Sequence, residues 1–180
     1  MLRAVPKIIM PELPDRSLRS LWAARHARFD FFSRQFEIFD GEVCVANLDL
    51  AWFREEVEFA IQGRTFEIGR EGVMSSVFLL REDGRTIASA TKPSAFRRSF
   101  DVVFDQTGYK LEAVAPFARR FVLRKDFRVV GSIHPVHCIG RKAIVELPEY
   151  LPLEVQLFIA WLVIMLWKRG ATGWRSQHDD

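Results

Sequence analysis

The stretch LPLEVQLFIAWLVIMLWKRG, residues 151–170, decides how the rest of this 180-residue chain folds. Its centre, 157–167, is the longest uninterrupted apolar run in the sequence, at eleven residues. A helix that crosses a bilayer needs about 20 such residues, so a membrane span is disfavoured. A helix that is apolar all round in a globular protein must be buried all round. We therefore expect an internal helix over 152–169, with Pro152 in its first turn and Gly170 at its end.

The part of the chain before this helix repeats a unit of short strand, tight turn and short strand. Apolar and polar residues alternate in VEFAI (57–61), and pairs such as Asp40-Gly41 and Asp83-Gly84 separate neighbouring segments. Strands joined by such short turns pair antiparallel, because parallel strands need long crossover connections. The pattern predicts a mainly β protein.

Only a sheet that closes on itself covers a helix on every side. About twelve strands, spaced about 4.8 Å apart and tilted by about 40°, give a barrel roughly 25 Å across, with room for one helix. We therefore predict a closed antiparallel β-barrel of about twelve strands around a buried hydrophobic C-terminal α-helix. Residues 1–35 form a lead-in, in which 17–29 is a short helix or an extended segment. The barrel domain spans 36–170, and 171–180 is a polar tail.

Charge is distributed unevenly along the chain, although the net charge is only +3. Residues 1–35 carry +4, residues 36–83 carry −7 and residues 84–136 carry +6. This segregation indicates either a partner with a charged surface, such as anionic lipid, or simply a solvated exterior. The two cysteines, Cys44 and Cys138, provide no disulfide framework, and the N-terminal residues lack a signal-peptide core, so we expect a cytoplasmic protein.

Residues with metal-binding or catalytic chemistry form no complete set. His134, His137 and Cys138 in SIHPVHCIG are the one cluster of metal-ligand types, but metal sites usually need three or four ligands and no second pair has a familiar spacing. An ordinary strand and turn is the favoured interpretation of that segment. The sequence also has no Gly-x-Ser-x-Gly motif and no phosphate-binding glycine loop. We expect no enzymatic activity, no metal and no cofactor.

Basic doublets are the stronger functional lead. Several fall at predicted strand ends or turns, where side chains from neighbouring strands can converge on a phosphate. The resulting hypothesis is that anionic phospholipid head groups bind an arginine-rich region that consists of Arg97, Arg98, Arg119, Arg120, Arg124, Lys125 and Arg128. A role in solubility alone stays open. Nucleic-acid binding is not expected, because no exposed aromatic platform is evident.

A strand-rich body followed by one very hydrophobic helix resembles the tubby-like superfamily, and within it the bacterial members of the phospholipid scramblase and LURP-one-related group. The likeness covers about residues 36–169. It is carried by FEIFDGEV (36–43), FLLREDGRTIASATKP (78–93), RSFDVVFDQTGYKL (98–111), RRFVLRKDFRVVGSIHP (119–135) and the C-terminal helix.

This resemblance implies a twelve-stranded barrel around a central helix. In that superfamily, animal scramblases are associated with calcium-dependent lipid movement and tubby domains bind phosphoinositide head groups through basic residues. The present sequence lacks a palmitoylation segment, a proline-rich N-terminal arm and an acidic loop with calcium-ligand spacing, so calcium-triggered scrambling is not expected. The sequence favours a non-enzymatic barrel that binds anionic phospholipid peripherally. The alternative is a protein-interaction or scaffold module that uses the N-terminal segment. A small-ligand barrel is disfavoured because the helix fills its interior.

Overall fold

A computed structural model describes residues 18–25, 35–49, 56–72, 74–94, 97–136 and 142–172. Within these ranges the chain forms one sheet and one C-terminal helix, and every pair of neighbouring strands is antiparallel. The elements are β1 (Leu18–Arg25), β2 (Gln35–Asp40), β3 (Val43–Asp49), β4 (Val57–Ile61), β5 (Arg64–Arg70), β6 (Val77–Glu82), β7 (Arg85–Thr91), β8 (Ser99–Phe104), β9 (Thr107–Ala113), β10 (Phe121–Lys125), β11 (Arg128–Pro135), β12 (Lys142–Pro148) and α1 (Leu153–Thr172). The predicted mainly β architecture with a C-terminal helix is confirmed. The helix runs two residues beyond Gly170, where the sequence predicted its end.

The strands follow the order β3-β2-β1-β12-β11-β10-β9-β8-β7-β6-β5-β4. Pairing of β1 with β12 therefore joins the first described strand to the last. Because β1 lies inside the segment 1–35, the sheet begins before residue 36, where the predicted barrel domain starts. Residues 18–25 adopt the extended alternative of the two predicted for 17–29 and pair with both β2 and β12. The two strands at the ends of this order, β3 and β4, have Cα atoms within 8 Å of each other.

Tight turns lie at one end of the sheet, the same end at which α1 begins. In four of them both central residues have positive φ, which defines the type I′ turn that best matches the twist of a hairpin. These turns are Gln62-Gly63, Asp83-Gly84, Asp105-Gln106 and Asp126-Phe127. Phe127 has a φ of 66°, a conformation that is uncommon for a large side chain.

Longer connections lie at the opposite end, toward which α1 runs. The structure describes 71–76 without residue 73, 92–98 without residues 95–96, and 114–120 in full. A backbone hydrogen bond from Lys92 N to Ser76 O (2.9 Å) joins the first two. Ala113 N, at the end of β9, donates to Arg98 O (3.1 Å), so the described parts of the second and third connections lie on either side of β9.

The core consists of the helix and the inward side chains of the strands. Every residue from 155 to 166 is buried, so no side of this part of the helix faces solvent. Alternating inward positions of the strands supply buried phenylalanines, and Phe78 contacts the helical Trp161 edge to face with ring centroids 5.7 Å apart. Among the described residues, no helix combines the length and hydropathy that a bilayer crossing requires.

Polar contacts stabilise the N-terminal end of α1. Pro152 O accepts hydrogen bonds from the backbone N–H groups of Val155 and Gln156, each at 3.0 Å. The buried Gln156 side chain donates through Nε2 to Leu151 O (2.7 Å) and to Pro148 O (3.2 Å). The first of these bonds pairs Leu151 O, and the second adds to the bond that Pro148 O accepts from Leu151 N (3.0 Å) at the turn from β12 into α1.

Candidate functional site

The connections 92–98 and 114–120 form a surface that we call the basic rim. They contain five Lys or Arg residues and no Asp or Glu. The cationic residues are Lys92, Arg97, Arg98, Arg119 and Arg120. Residues 97–98 precede β8 and residues 119–120 precede β10, and one strand, β9, lies between them. The two doublets therefore lie about 10 Å apart across the edge of the sheet.

Arg98 fixes the shape of the rim. Its Nη1 donates to Ala118 O at 2.9 Å and to Pro116 O at 3.3 Å, and its guanidinium lies over the Phe121 ring, 5.2 Å from the centroid. Both carbonyl groups belong to the residues that flank Phe117. Half-buried and bonded through Nη1, Arg98 positions the 114–120 connection.

A tight turn sits at the centre of that connection. Ala118 N donates to Ala115 O at 3.0 Å, which closes a β-turn with Pro116 and Phe117 at its two central positions. Proline at the first central position fixes φ in the range that the turn requires. Phe117 is 95% exposed at the apex. The turn thus holds a large apolar side chain in solvent within a basic surround.

Arg119 connects the rim to the C-terminal part of the helix. Its guanidinium carbon lies 5.5 Å from the centroid of the Trp167 ring, and Trp167 Nε1 donates to Arg119 O at 2.9 Å. Trp167 also contacts the buried Phe121 ring edge to face. The 114–120 connection therefore packs against the C-terminal part of α1 through Arg119.

The positive charges of the rim are only partly compensated. Burial, and then the neighbouring Arg119, lower the pKa of Arg98. Within the described parts of the chain, Arg97 and Arg120 are exposed and no hydrogen-bond or salt-bridge partner engages their guanidinium groups. An anion bound here would relieve the mutual repulsion of these groups.

The other three predicted site residues lie at the opposite end of the sheet. Arg124 Nε forms a salt bridge with Glu112 Oε1 at 2.8 Å, and its Nη1 donates to Phe127 O at 3.1 Å. Lys125 Nζ lies 5.8 Å from the centroid of the Tyr109 ring. Arg128 is exposed beside the Asp126-Phe127 turn. The predicted region therefore divides into two, and the structure brings together only Arg97, Arg98, Arg119 and Arg120.

The central positions of the turns at the end that carries Arg128 are acidic. The five two-residue connections at 41–42, 62–63, 83–84, 105–106 and 126–127, together with the turn at 149–150, contain five acids and no Lys or Arg, while Arg64, Arg85, Lys125 and Arg128 flank them. The two ends are separated by the length of the strands, roughly 20 Å for a six-residue strand. Acids thus occupy the turn centres at one end of the sheet, whereas the basic rim at the other end carries cations and no acid.

Of the predicted cluster of metal-ligand types, only His134 can be placed. It lies on β11, with its Nδ1 buried and unpartnered among the described atoms. His137 and Cys138 fall outside the described residues. Among the described residues, no three His, Cys, Asp or Glu side chains are grouped closely enough to hold a metal ion.

Comparison with protein-family models, with curated proteins and with solved structures finds no match to this chain.

The exposed Phe117 is the feature of this surface that the sequence analysis did not identify. Its signal is the Pro-Phe pair inside an acid-free segment, VAPFARR (114–120). Proline followed by a residue without a predicted strand partner indicates a turn, and residues at turn centres are exposed.

Proposed function

We propose that this protein binds anionic phospholipid head groups at a membrane surface through its basic rim, without enzymatic activity. The observation that carries the proposal is that two adjacent connections together contain five cations and no acid. Two of these cations, Arg97 and Arg120, are exposed and have no ion-pair or hydrogen-bond partner among the described residues. Guanidinium groups bind phosphate oxygens through paired N–H donors. Each cation near an anionic leaflet contributes about 1 kcal/mol to binding. Cytoplasmic location and peripheral association are part of this proposal.

The same proposal includes a closed barrel of the tubby-like type around α1. Two observations support closure. Residues 155–166 are buried without interruption, and an open sheet would leave one side of the helix in solvent. The end strands β3 and β4 also approach each other within 8 Å between Cα atoms. In a closed barrel, the two connections of the basic rim lie beside the C-terminal part of the helix.

Vesicle co-flotation tests the lipid proposal. The full chain is mixed with vesicles of phosphatidylcholine alone and with vesicles that contain increasing phosphatidylserine, at low and at high salt. We expect binding that grows with the anionic fraction and falls at high salt, because salt screens exposed charges. Equal failure to bind neutral and anionic vesicles would refute the proposal and leave the protein-interaction hypothesis.

A matched pair of charge reversals locates the surface. Arg97→Glu with Arg120→Glu should weaken binding to anionic vesicles by roughly 30-fold or more, since two favourable charges are lost and two unfavourable ones gained. Arg85→Glu with Arg128→Glu changes the net charge equally at the opposite end of the sheet, where both residues are exposed, and should retain most of the binding. Equal losses in both variants would mean that net charge, and not the rim, determines binding.

A further inference from the structure

An apolar side chain accompanies the cations of the basic rim. Phe117 is 95% exposed, and Val114 in the same connection is 52% exposed. An isolated exposed apolar residue needs no explanation, but this one occupies a turn that three hydrogen bonds stabilise, two of them from one atom of Arg98. These are the Ala118 N–Ala115 O bond and the two bonds from Arg98 to the carbonyl groups on either side of Phe117.

A fixed turn favours binding because the loop has already lost its conformational entropy during folding. A mobile loop would lose conformational entropy on contact with a partner, whereas this turn would not. Phenylalanine is favourable at the boundary between head groups and acyl chains, and cations beside it are attracted to anionic lipid. The combination of a fixed apolar apex with flanking arginines matches the chemistry of an anionic bilayer surface.

The opposite end offers an internal contrast. Phe127 is 96% exposed, also at the centre of a two-residue turn. Lys125 and Arg128 flank this turn, but acids at the centres of the described turns at this end, Asp126 among them, offset those cations. The basic rim contains no acid, so the two phenylalanines of equal exposure differ in whether acids lie among the cations around them.

We infer that Phe117 is a membrane anchor, which inserts into the head-group and acyl-chain boundary of an anionic leaflet while Arg97 and Arg120 bind phosphate groups. This inference rests on the proposed lipid binding and adds to it a mode of attachment and an orientation. The molecule approaches the bilayer with its basic rim, so that the strands stand on the surface and the turns with acidic centres point away.

The test uses the full chain with phosphatidylcholine and phosphatidylserine vesicles. Phe117→Ala should weaken binding by roughly five- to tenfold, which corresponds to partial burial of one phenylalanine, while Phe127→Ala leaves the affinity unchanged. The loss should persist at high salt, because the apolar contribution is not screened. Both positions are fully solvent-exposed, so neither change removes a core contact.

Insertion itself is measured with Phe117→Trp and Phe127→Trp. In vesicles of brominated phospholipid, the extra fluorescence of the Phe117→Trp variant over that of the wild type should be quenched, and the extra fluorescence of Phe127→Trp should not. Suppose that the wild type binds and the Arg97→Glu, Arg120→Glu variant does not. If Phe117→Ala then binds as well as the wild type, and Phe117→Trp shows no extra quenching, the membrane anchor is refuted while head-group binding stands. Absence of wild-type binding would overturn both.

Discussion

Truncation of three successive helix side chains tests whether the sheet encloses α1. Leu157, Phe158 and Ile159 are each 0% exposed. Consecutive residues of a helix differ in direction by about 100°, so these three side chains are distributed around the axis. If one half of the helix surface were uncovered, at least one of the three would lie in that half. Full enclosure therefore requires that all three truncations be costly.

The expected costs follow from burial. Leu157→Ala and Ile159→Ala should each lower the free energy of unfolding by about 2–5 kcal/mol, and Phe158→Ala by about 3–5 kcal/mol. Truncation of a side chain that contacts only solvent would change the free energy of unfolding by less than about 0.5 kcal/mol. The measurement is guanidinium unfolding followed by tryptophan fluorescence and far-ultraviolet circular dichroism. Val103→Ala, on the outward face of β8 and 45% exposed, is the control and should change stability little.

A cost below about 1 kcal/mol for any one of the three truncations would contradict enclosure, because that side of the helix would then lack a covering layer. If an alanine variant does not fold, the smaller change Ile159→Val should still cost about 0.5–1.5 kcal/mol and keeps the test decisive.

Two further predictions concern the sheet. A Cβ atom at Gly131 would lie 2.7 Å from Glu146 O, which is backbone and cannot yield, whereas one at Gly108 meets nothing within 4 Å. Gly131→Ala should therefore lower the free energy of unfolding, measured with denaturant, by about 1–3 kcal/mol, and Gly108→Ala should change it very little. Equal stabilities of the two variants would contradict this packing. Burial, and then the neighbouring Tyr150, raise the pKa of Tyr109 to about 12. Since the unfolded chain releases that proton near pH 10, wild-type stability should fall relative to Tyr109→Phe between pH 10 and 12, by at most about 1.4 kcal/mol per pH unit; parallel pH profiles would refute the shift.

The mainly β architecture and the buried helix could be predicted because each depends on a local pattern. Alternation in segments such as VEFAI (57–61) and the all-round apolar surface of 157–166 report burial directly. Strand β1 could not be identified in the same way. Its sequence, LRSLWAAR, does not alternate, and it becomes a strand by pairing with β2 on one side and with β12, more than a hundred residues away, on the other. Long-range pairing of this kind leaves no local signal.

The candidate site was predicted in part, and the reason for the rest is geometric. Arg119-Arg120 and Arg124-Lys125 are close in sequence, but the strand β10 connects them. Even a five-residue strand places its two ends roughly 16 Å apart, so doublets on either side of it belong to different surfaces. The pattern FVLRK was available in the sequence as a strand signal. Residues that are close in sequence therefore lie far apart in space when an extended strand separates them.

The acidic turn centres and the basic rim have different physical origins, and this difference favours a functional role for the rim. Type I′ turns require positive φ at both central residues, which Gly, Asn and Asp accept most readily. Asp83, Asp105 and Asp126 each occupy the first position of such a turn, so much of the acidity of the turn centres follows from hairpin chemistry. The longer connections of the rim carry no comparable backbone requirement. Five cations without one acid are therefore not demanded by the fold, and their mutual repulsion lowers stability unless a negatively charged partner is present.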